Sequence, residues 1–279
     1  MRPERRFGAT GSLGASVGVL VLGLAAAWAS GRVLDLRAGD LAPGAGGWQL
    51  AGDFFGRALR PALAFEGAYD GGRLGVVLQA GRAAVTTVAF AAAAVSLSLV
   101  GGLVMGFLGS SAWWPGRRAA AVTVPVRLLA AAMRSVHELI WAVLLLAAFG
   151  TDRLVAVLAI AIPYAGTLAK VFAEMIDEAP RDAAGALAAA GASPLQGFAV
   201  GLLPRAVPDM TAYAFYRFEC ALRSAAVLGF FGFPTLGYYL SASFENLHYG
   251  EVWTYLYALF VLVLAVDAWS GRLRREVTR

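Results

Sequence analysis

The chain has a single cysteine, Cys220, and two histidines, His137 and His248, in 279 residues. One cysteine excludes an intrachain disulfide, and with it the disulfide-stapled extracellular scaffolds. Two histidines far apart, with no cysteine beside them, do not make the ligand set of a structural zinc site. Lysine is nearly missing: among 23 basic residues Lys170 is the only one. It follows no Gly-x-x-x-x-Gly, so the chain carries no P-loop for nucleotide. His-Glu-x-x-His and Gly-x-Ser-x-Gly are missing too, which leaves a membrane-embedded enzyme without metal or nucleophile. Charged residues make up only 15 % of the chain. The net charge of +5 lies on no aromatic-interleaved basic stripe, so nucleic acid is not an expected partner.

What the sequence has in abundance is apolar surface. Hydrophobic residues reach 59 % and the mean hydropathy is +0.67, against roughly 45–50 % apolar in a soluble chain. One soluble core of this length cannot hide so much. A membrane helix needs about 20 mainly apolar residues, and stretches 12–30, 83–108, 126–149, 154–172, 210–231 and 252–270 each supply a candidate. The expectation is an all-α polytopic membrane protein of about six transmembrane helices. Arginine sets the orientation. Arg2, Arg5 and Arg6 precede the first span, Arg117 and Arg118 follow the second, Arg181 and Arg205 follow the fourth, and Arg272, Arg274, Arg275 and Arg279 end the chain. With six spans all four groups fall on one side, which puts both termini in the cytoplasm. The other side holds Arg153 and the stretch 31–73, whose five arginines and five acids cancel. A competing reading takes Arg5-Arg6, the apolar run and Ala27-Trp28-Ala29 as a cleavable signal peptide.

Three regions result: 1–30 as cytoplasmic tail and first span, 31–73 as an external segment, and 74–279 as a core of five spans containing the loop 176–209. In the external segment Trp48, Phe55, Leu59 and Leu63 recur at helical spacing beside Arg57 and Arg60. That pattern reads as an amphipathic stretch on the outer membrane surface, or as a loosely ordered loop.

The loop 176–209 joins two spans yet is rich in alanine and helix-forming. Asp182, Ala183, Ala184 and Gly185 open a first short helix, and Gly191 and Ala192 break it. Ser193 then caps a second helix with Pro194 in its first turn, and Leu203-Pro204 ends it. Two short crossed helices at a membrane surface make a rigid knob, or simply an alanine-rich helix pair. The spacing of alanine pair, glycine and Leu-Pro resembles the EAA loop of ABC-importer permeases. That resemblance implies that Asp182, Ala183, Ala184, Gly185, Gly191, Ala192, Ser193, Leu203 and Pro204 dock on a separate ATPase. Gly185 stands where that family carries an acid, and Asp182, one turn earlier, is the substitute.

Ionisable groups inside spans are costly and mark a bundle interior. Arg134, His137 and Glu138 share a helix face by i, i+3, i+4 spacing, and Glu219 pairs in the same way with Arg223, with Arg217 a quarter turn aside. Counted along straight helices, both sets lie near the middle of the membrane core. Two readings are open: an internal ion-pair lattice, or arginines that face a pathway and favour a passing anion. His137 would either modulate that charge near neutral pH or pack as a neutral ring.

These residues sharpen the resemblance. Arg134-Ser135-x-x-Glu138-Leu139-Ile140-Trp141-Ala142 resembles the third-span signature of phosphonate-type ABC-importer permeases, with His137 where that family has proline. Tyr216-Arg217-Phe218-Glu219 and Arg223-Ser224-Ala225-Ala226-Val227-Leu228-Gly229 resemble their fifth-span signature. The resemblance implies a homodimeric inner-membrane permease with its pathway at the dimer interface and no chemistry of its own. A cytoplasmic ABC ATPase dimer would bind ATP and magnesium, and a periplasmic binding protein would deliver a phosphonate or phosphite-like oxyanion. The aromatic segment with Phe233, Pro234 and Gly237 would form the outer mouth. Two rival readings remain: a permease for another solute such as an amino acid, and a secondary transporter using the Arg/Glu/His groups, though no repeated halves are visible.

Overall fold

The computed structural model describes residues 9–35, 44, 46–67, 74–112, 114 and 118–277. Arg2, Arg5, Arg6, Arg37, Arg73, Arg117 and Arg279, which enter the charge asymmetry above, lie outside the described residues. All regular structure among the described residues is helical. Residues 1–56 and 57–279 form two compact units.

In the first unit α1 (Ala9–Val33) is apolar all round, and none of its side chains from Ser16 to Val33 is buried. Helix α2 (Gly47–Ala58) carries Trp48 and Phe55, but it ends before Leu59 and Leu63. The expected single amphipathic stretch is therefore shorter. Pro61 bars Arg60 from helical geometry, and the chain turns there through Arg60 N–H to Arg57 O (3.0 Å).

The second unit is built on α3 (Gly75–Gly109) and α6 (Arg153–Glu178), which approach through small residues. Thr87, Ala91, Ala94, Ser98, Gly102 and Gly106 stand about one turn apart on the buried side of α3. Ala165, Ala169 and Ala173 answer them on α6. A Cβ at Gly102 would stand 2.5 Å from the Leu168 Cβ, and one at Gly106 2.9 Å from the Phe172 Cβ. Such contact lets dispersion act along the whole helix where water and side-chain bulk are excluded.

The third expected span, 126–149, is not one helix. It consists of α4 (Arg118–Ser135) and α5 (Glu138–Phe149), turned by 88°. His137 is extended (φ −66°, ψ 147°), and its Nδ1 accepts from Leu139 N–H at 3.3 Å to cap α5. Apolar periodicity runs through the break because both helices are apolar. The one signal of it is the position itself, where the resembling family carries a helix-breaking proline.

After α6 come α7 (Asp182–Ala189), the short α8 (Pro194–Gln196), a π-helical turn (Gly197–Leu202) and α9 (Leu203–Val227). A 3₁₀ turn (Leu228–Phe231) leads to α10 (Leu236–Glu245) and α11 (Tyr249–Val277). Among the described residues α1, α3, α6 and α11 are each long and apolar enough to cross a membrane, and two bent pairs raise the count to as many as six. The fold is all-α and polytopic, as the hydropathy implies.

At the end of the unit where α3 and α11 begin, residues 57–67 are strapped down by the buried Glu251. Its carboxylate accepts from Glu66 N–H (2.7 Å) and Ser243 Oγ (2.8 Å), and Thr254 Oγ1 donates to Ala62 O (2.6 Å). At the opposite end Asp177 accepts from Ser110 Oγ (2.7 Å) and Arg127 Nη2 (2.7 Å), tying the end of α6 to the α3–α4 connection.

Gly102→Leu is expected to lower the melting temperature of the purified protein by several degrees, corresponding to about 1–3 kcal/mol of overpacking. Gly81→Ala in the same helix meets nothing within 4 Å and leaves the melting temperature unchanged or slightly raised.

Candidate functional site

Two groups of residues stand out, one in the loop and one within the bundle. Helix α7 ends in a Schellman motif: Gly191 N–H donates to Ala188 O (3.0 Å) and Ala192 N–H to Leu187 O (2.9 Å). Gly191 takes φ +88°, which a side chain would strain. Ser193 and Gln196 then form a reciprocal capping box, with Gln196 N–H donating to Ser193 Oγ (3.3 Å) and Ser193 N–H to Gln196 Oε1 (2.8 Å). Leu203-Pro204 does not end the second helix, as the sequence suggested. The Leu203 N–H bonds five residues back to Phe198 O, and the π turn runs directly into α9. Widening the turn accommodates Pro204, which lacks an N–H and would clash in an α-helical ladder. Gly201 admits the α7 backbone: a Cβ there would stand 2.9 Å from Ala184 N. Gly185 faces open space.

Asp182 pairs with Arg205 (Oδ2 to Nη1, 3.1 Å), and the same Arg205 nitrogen donates to Pro180 O (3.3 Å). Asp182, expected as the substitute for the family's acid, is thus engaged within the loop. Its carboxyl titrates below the ordinary aspartate range, chiefly because its own backbone N–H bonds it and then because Arg205 lies beside it. Lowered titration means that the pair is whole above the ordinary range, about 3.9, and is lost as pH falls through the lower folded value.

Within the bundle the expected two-acid, three-arginine lattice does not form. The break at His137 takes Arg134 off the face of Glu138. Glu138 Oε1 instead accepts from Ser224 Oγ on α9 (2.8 Å), and Tyr164 OH lies 3.0 Å from the same Ser224 Oγ. Ser224 has one proton. With that proton on the Glu138 bond, Tyr164 donates to Ser224, and the chain of bonds is directed from tyrosine to carboxylate. His137 Nε2 stands 3.5 Å from Glu138 Oε2. Arg217 lies over the Tyr164 ring (5.1 Å) and the Tyr213 ring (5.5 Å) and donates from Nε to Tyr213 OH (3.2 Å). Neither tyrosine nor Ser224 was marked by ionisable character, although Ser224 lies inside the resembling motif.

Glu219 pairs with Arg274 of α11 (2.9 Å) rather than with Arg223. Phe215 and Phe218 pack on Trp269, so this flank of α9 faces α11 and carries Glu219 with it. Arg274 sits in the last turn of α11. The pair ties Glu219 to the arginine-rich end of α11, and α9 begins at Leu203, ahead of the expected span 210–231. Arg223 is exposed, 3.7 Å from Cys220 Sγ. Phe233, expected at an outer mouth, is buried edge-on to Phe90 (5.8 Å). A Cβ on Gly237 would strike Ala226 O. Both serve the close α9–α10 reversal, and Pro234 alone of the three is exposed.

Residues 102–279 match the family described as binding-protein-dependent transport system inner membrane component. The chain belongs to this family. The phosphite transport system permease protein PtxC of Stutzerimonas stutzeri is 36 % identical over 70 % of either chain. The phosphate-import permease protein PhnE of Mycolicibacterium smegmatis is 28 % identical over 70 % of this chain and 36 % of its own. In fold, the chain superposes on the MetNI methionine ABC transporter in an inward-facing conformation, with TM-score 0.63 over 72 % of this chain and 97 % of that one, at 24 % identity. The protein is a multi-pass ABC importer permease subunit, a transport component and not an enzyme. Membership in the family implies an ATPase and a substrate-binding protein as partners.

Two outcomes follow. In a double-mutant cycle of thermal stability, Glu219→Gln and Arg274→Gln couple by about 1 kcal/mol, whereas Glu219→Gln and Arg223→Gln do not couple. Arg205→Gln moves the Asp182 titration, read by carboxyl NMR, part of the way back toward the ordinary range, since the backbone bond remains.

Proposed function

We propose that this permease imports a phosphite- or phosphonate-like oxyanion, as a homodimer whose pathway runs between the two copies. The observation that carries the reading is the exposure of charge within candidate spans. Arg134 and Arg223, and the ring of His137 beside them, are exposed on the isolated chain, although a guanidinium without an ion-pair partner is strongly disfavoured in hydrocarbon. A second copy and a water-filled path would cover them, and a path lined by arginine favours anions over cations and neutral solutes. The relatives that transport phosphite or import phosphate agree with that chemistry.

In this reading the knob around Gly191 seats in a cytoplasmic ABC ATPase dimer, which binds ATP and magnesium. Closure of the ATPases on ATP moves the knobs and opens the path outward, where a periplasmic binding protein delivers cargo. The membrane is the bacterial inner membrane, with both termini and the knob in the cytoplasm and lipid around α1. The arginine-rich end of α11 lies on that side.

The test is ATP hydrolysis by the complex of permease, ATPase and binding protein in lipid discs, challenged with phosphite, methylphosphonate, phosphate, sulfate and methionine. Stimulation by phosphite or methylphosphonate is expected. Stimulation by methionine alone would discard the oxyanion reading. Gly191→Val, strained by its positive φ, is expected to cut uptake about tenfold or more while the protein still reaches the membrane.

A further inference from the structure

We propose that Arg217 is the residue that recognises the oxyanion in the pathway, with Tyr164 and Tyr213 as the clamp that aims it. The proposal rests on the importer reading above and says which arginine meets the cargo. A guanidinium has five N–H donors in one plane. Arg217 uses one, Nε to Tyr213 OH at 3.2 Å, and two tyrosine rings lie against the group at 5.1 and 5.5 Å. Among the described residues Nη1 and Nη2, with four N–H groups between them, have no hydrogen-bond or ion-pair partner. Inside a span such donors do not stay unsatisfied. They meet water or an acceptor, and two nitrogens side by side fit two oxygens of a phosphorus oxyanion.

The other two arginines lack this arrangement. Arg223 has a cysteine sulfur for a neighbour and lines an apolar groove with Val227, Phe230 and Phe260. Arg134 stands in a crevice of about 220 Å³ with Arg127, Lys170 and Glu174, and no ring or hydrogen bond fixes its guanidinium among the described residues. Arg217 alone is oriented before cargo arrives, which removes the ordering cost from the binding step.

The clamp also explains why a carboxylate lies close by without pairing to the arginine. Glu138 accepts from Ser224 (2.8 Å), and Ser224 from Tyr164 (3.0 Å). The acid thereby fixes the tyrosine that stacks on Arg217, while Nη1 and Nη2 of the half-buried arginine keep no partner among the described residues. Tyr164 and Glu138 are positioning residues in this account.

Phosphite uptake and ATP hydrolysis are measured together in proteoliposomes holding the full complex. For Arg217→Gln, binding-protein-stimulated ATP hydrolysis is expected within about twofold of wild type, with phosphite moved per ATP falling at least about tenfold. Arg217→Lys keeps the charge but loses the fork, and is expected to fall several-fold in the same ratio. Tyr164→Phe keeps the ring but loses the hydroxyl held by Ser224, and is expected to fall in this ratio by less than Tyr164→Leu, which falls with Arg217→Lys. Wild-type phosphite per ATP in Arg217→Gln overturns the assignment. So does a parallel loss of hydrolysis, uptake and melting temperature that Arg217→Lys fully restores, which is the mark of a structural charge. A wild-type complex that moves methionine and no oxyanion would instead defeat the importer's cargo reading, independently of Arg217.

Discussion

The close contact of α3 with α6 is the constraint from which the remaining geometry follows. Gly102 and Gly106 let the two helices meet almost backbone to backbone, and in lipid there is no hydrophobic drive to substitute for lost packing. α6 in turn presents Tyr164 toward α9 and receives α4 through Gly166, whose missing Cβ leaves room for the Ala130 carbonyl and the Met133 side chain. Its last turn supplies Asp177, which grips the α3–α4 connection. The helices that bear the charge set are thus placed mainly by small uncharged residues, with the Asp177–Arg127 pair holding α4.

Polar chemistry inside the bundle is arranged so that each acid has its own neighbourhood. Glu138 is held by a serine and, through it, a tyrosine; Glu219 by an arginine of the last helix. A shared lattice would have placed all charges in mutual contact and used up their donors. Separate neighbourhoods leave Arg217 with unspent donors among the described residues. The 88° turn between α4 and α5 makes this possible, because it brings the first residue of α5 against α9 and leaves Arg134 behind.

Much of this was legible in the sequence. The apolar runs gave the all-α polytopic class, since length and hydropathy alone decide what can cross a membrane. The knob was readable as well: Gly191, Ser193 and Pro194 each have a backbone role that spacing reveals. Other features were not legible, for identifiable reasons. Helical periodicity assumes a straight axis, so Arg134 and Glu138 appeared to share a face that the break at His137 removes. Spacing along α9 put Glu219 beside Arg223, but tertiary packing of Phe215 and Phe218 on Trp269 decided which way the carboxylate points. Phe233 and Gly237 sat in a plausible loop, and only the close α9–α10 reversal shows them to be packing positions. Tyr164 and Ser224 bring no charge into the apolar runs, so the pattern does not set them apart.

The unbroken path from α8 through the π turn into α9 has a mechanical meaning. From Ser193 to Arg217 the backbone is one helical rod, on the order of 35 Å long at 1.5 Å per residue, and the last soft joint before it is Gly191. A rod without an elbow cannot absorb a stroke delivered at its tip. In the proposed importer, displacement of the tip would arrive at the far end as displacement of the Tyr213 ring of α9 against the Tyr164 ring of α6, so that pushing on the loop and changing the proposed grip on an anion would be one and the same movement.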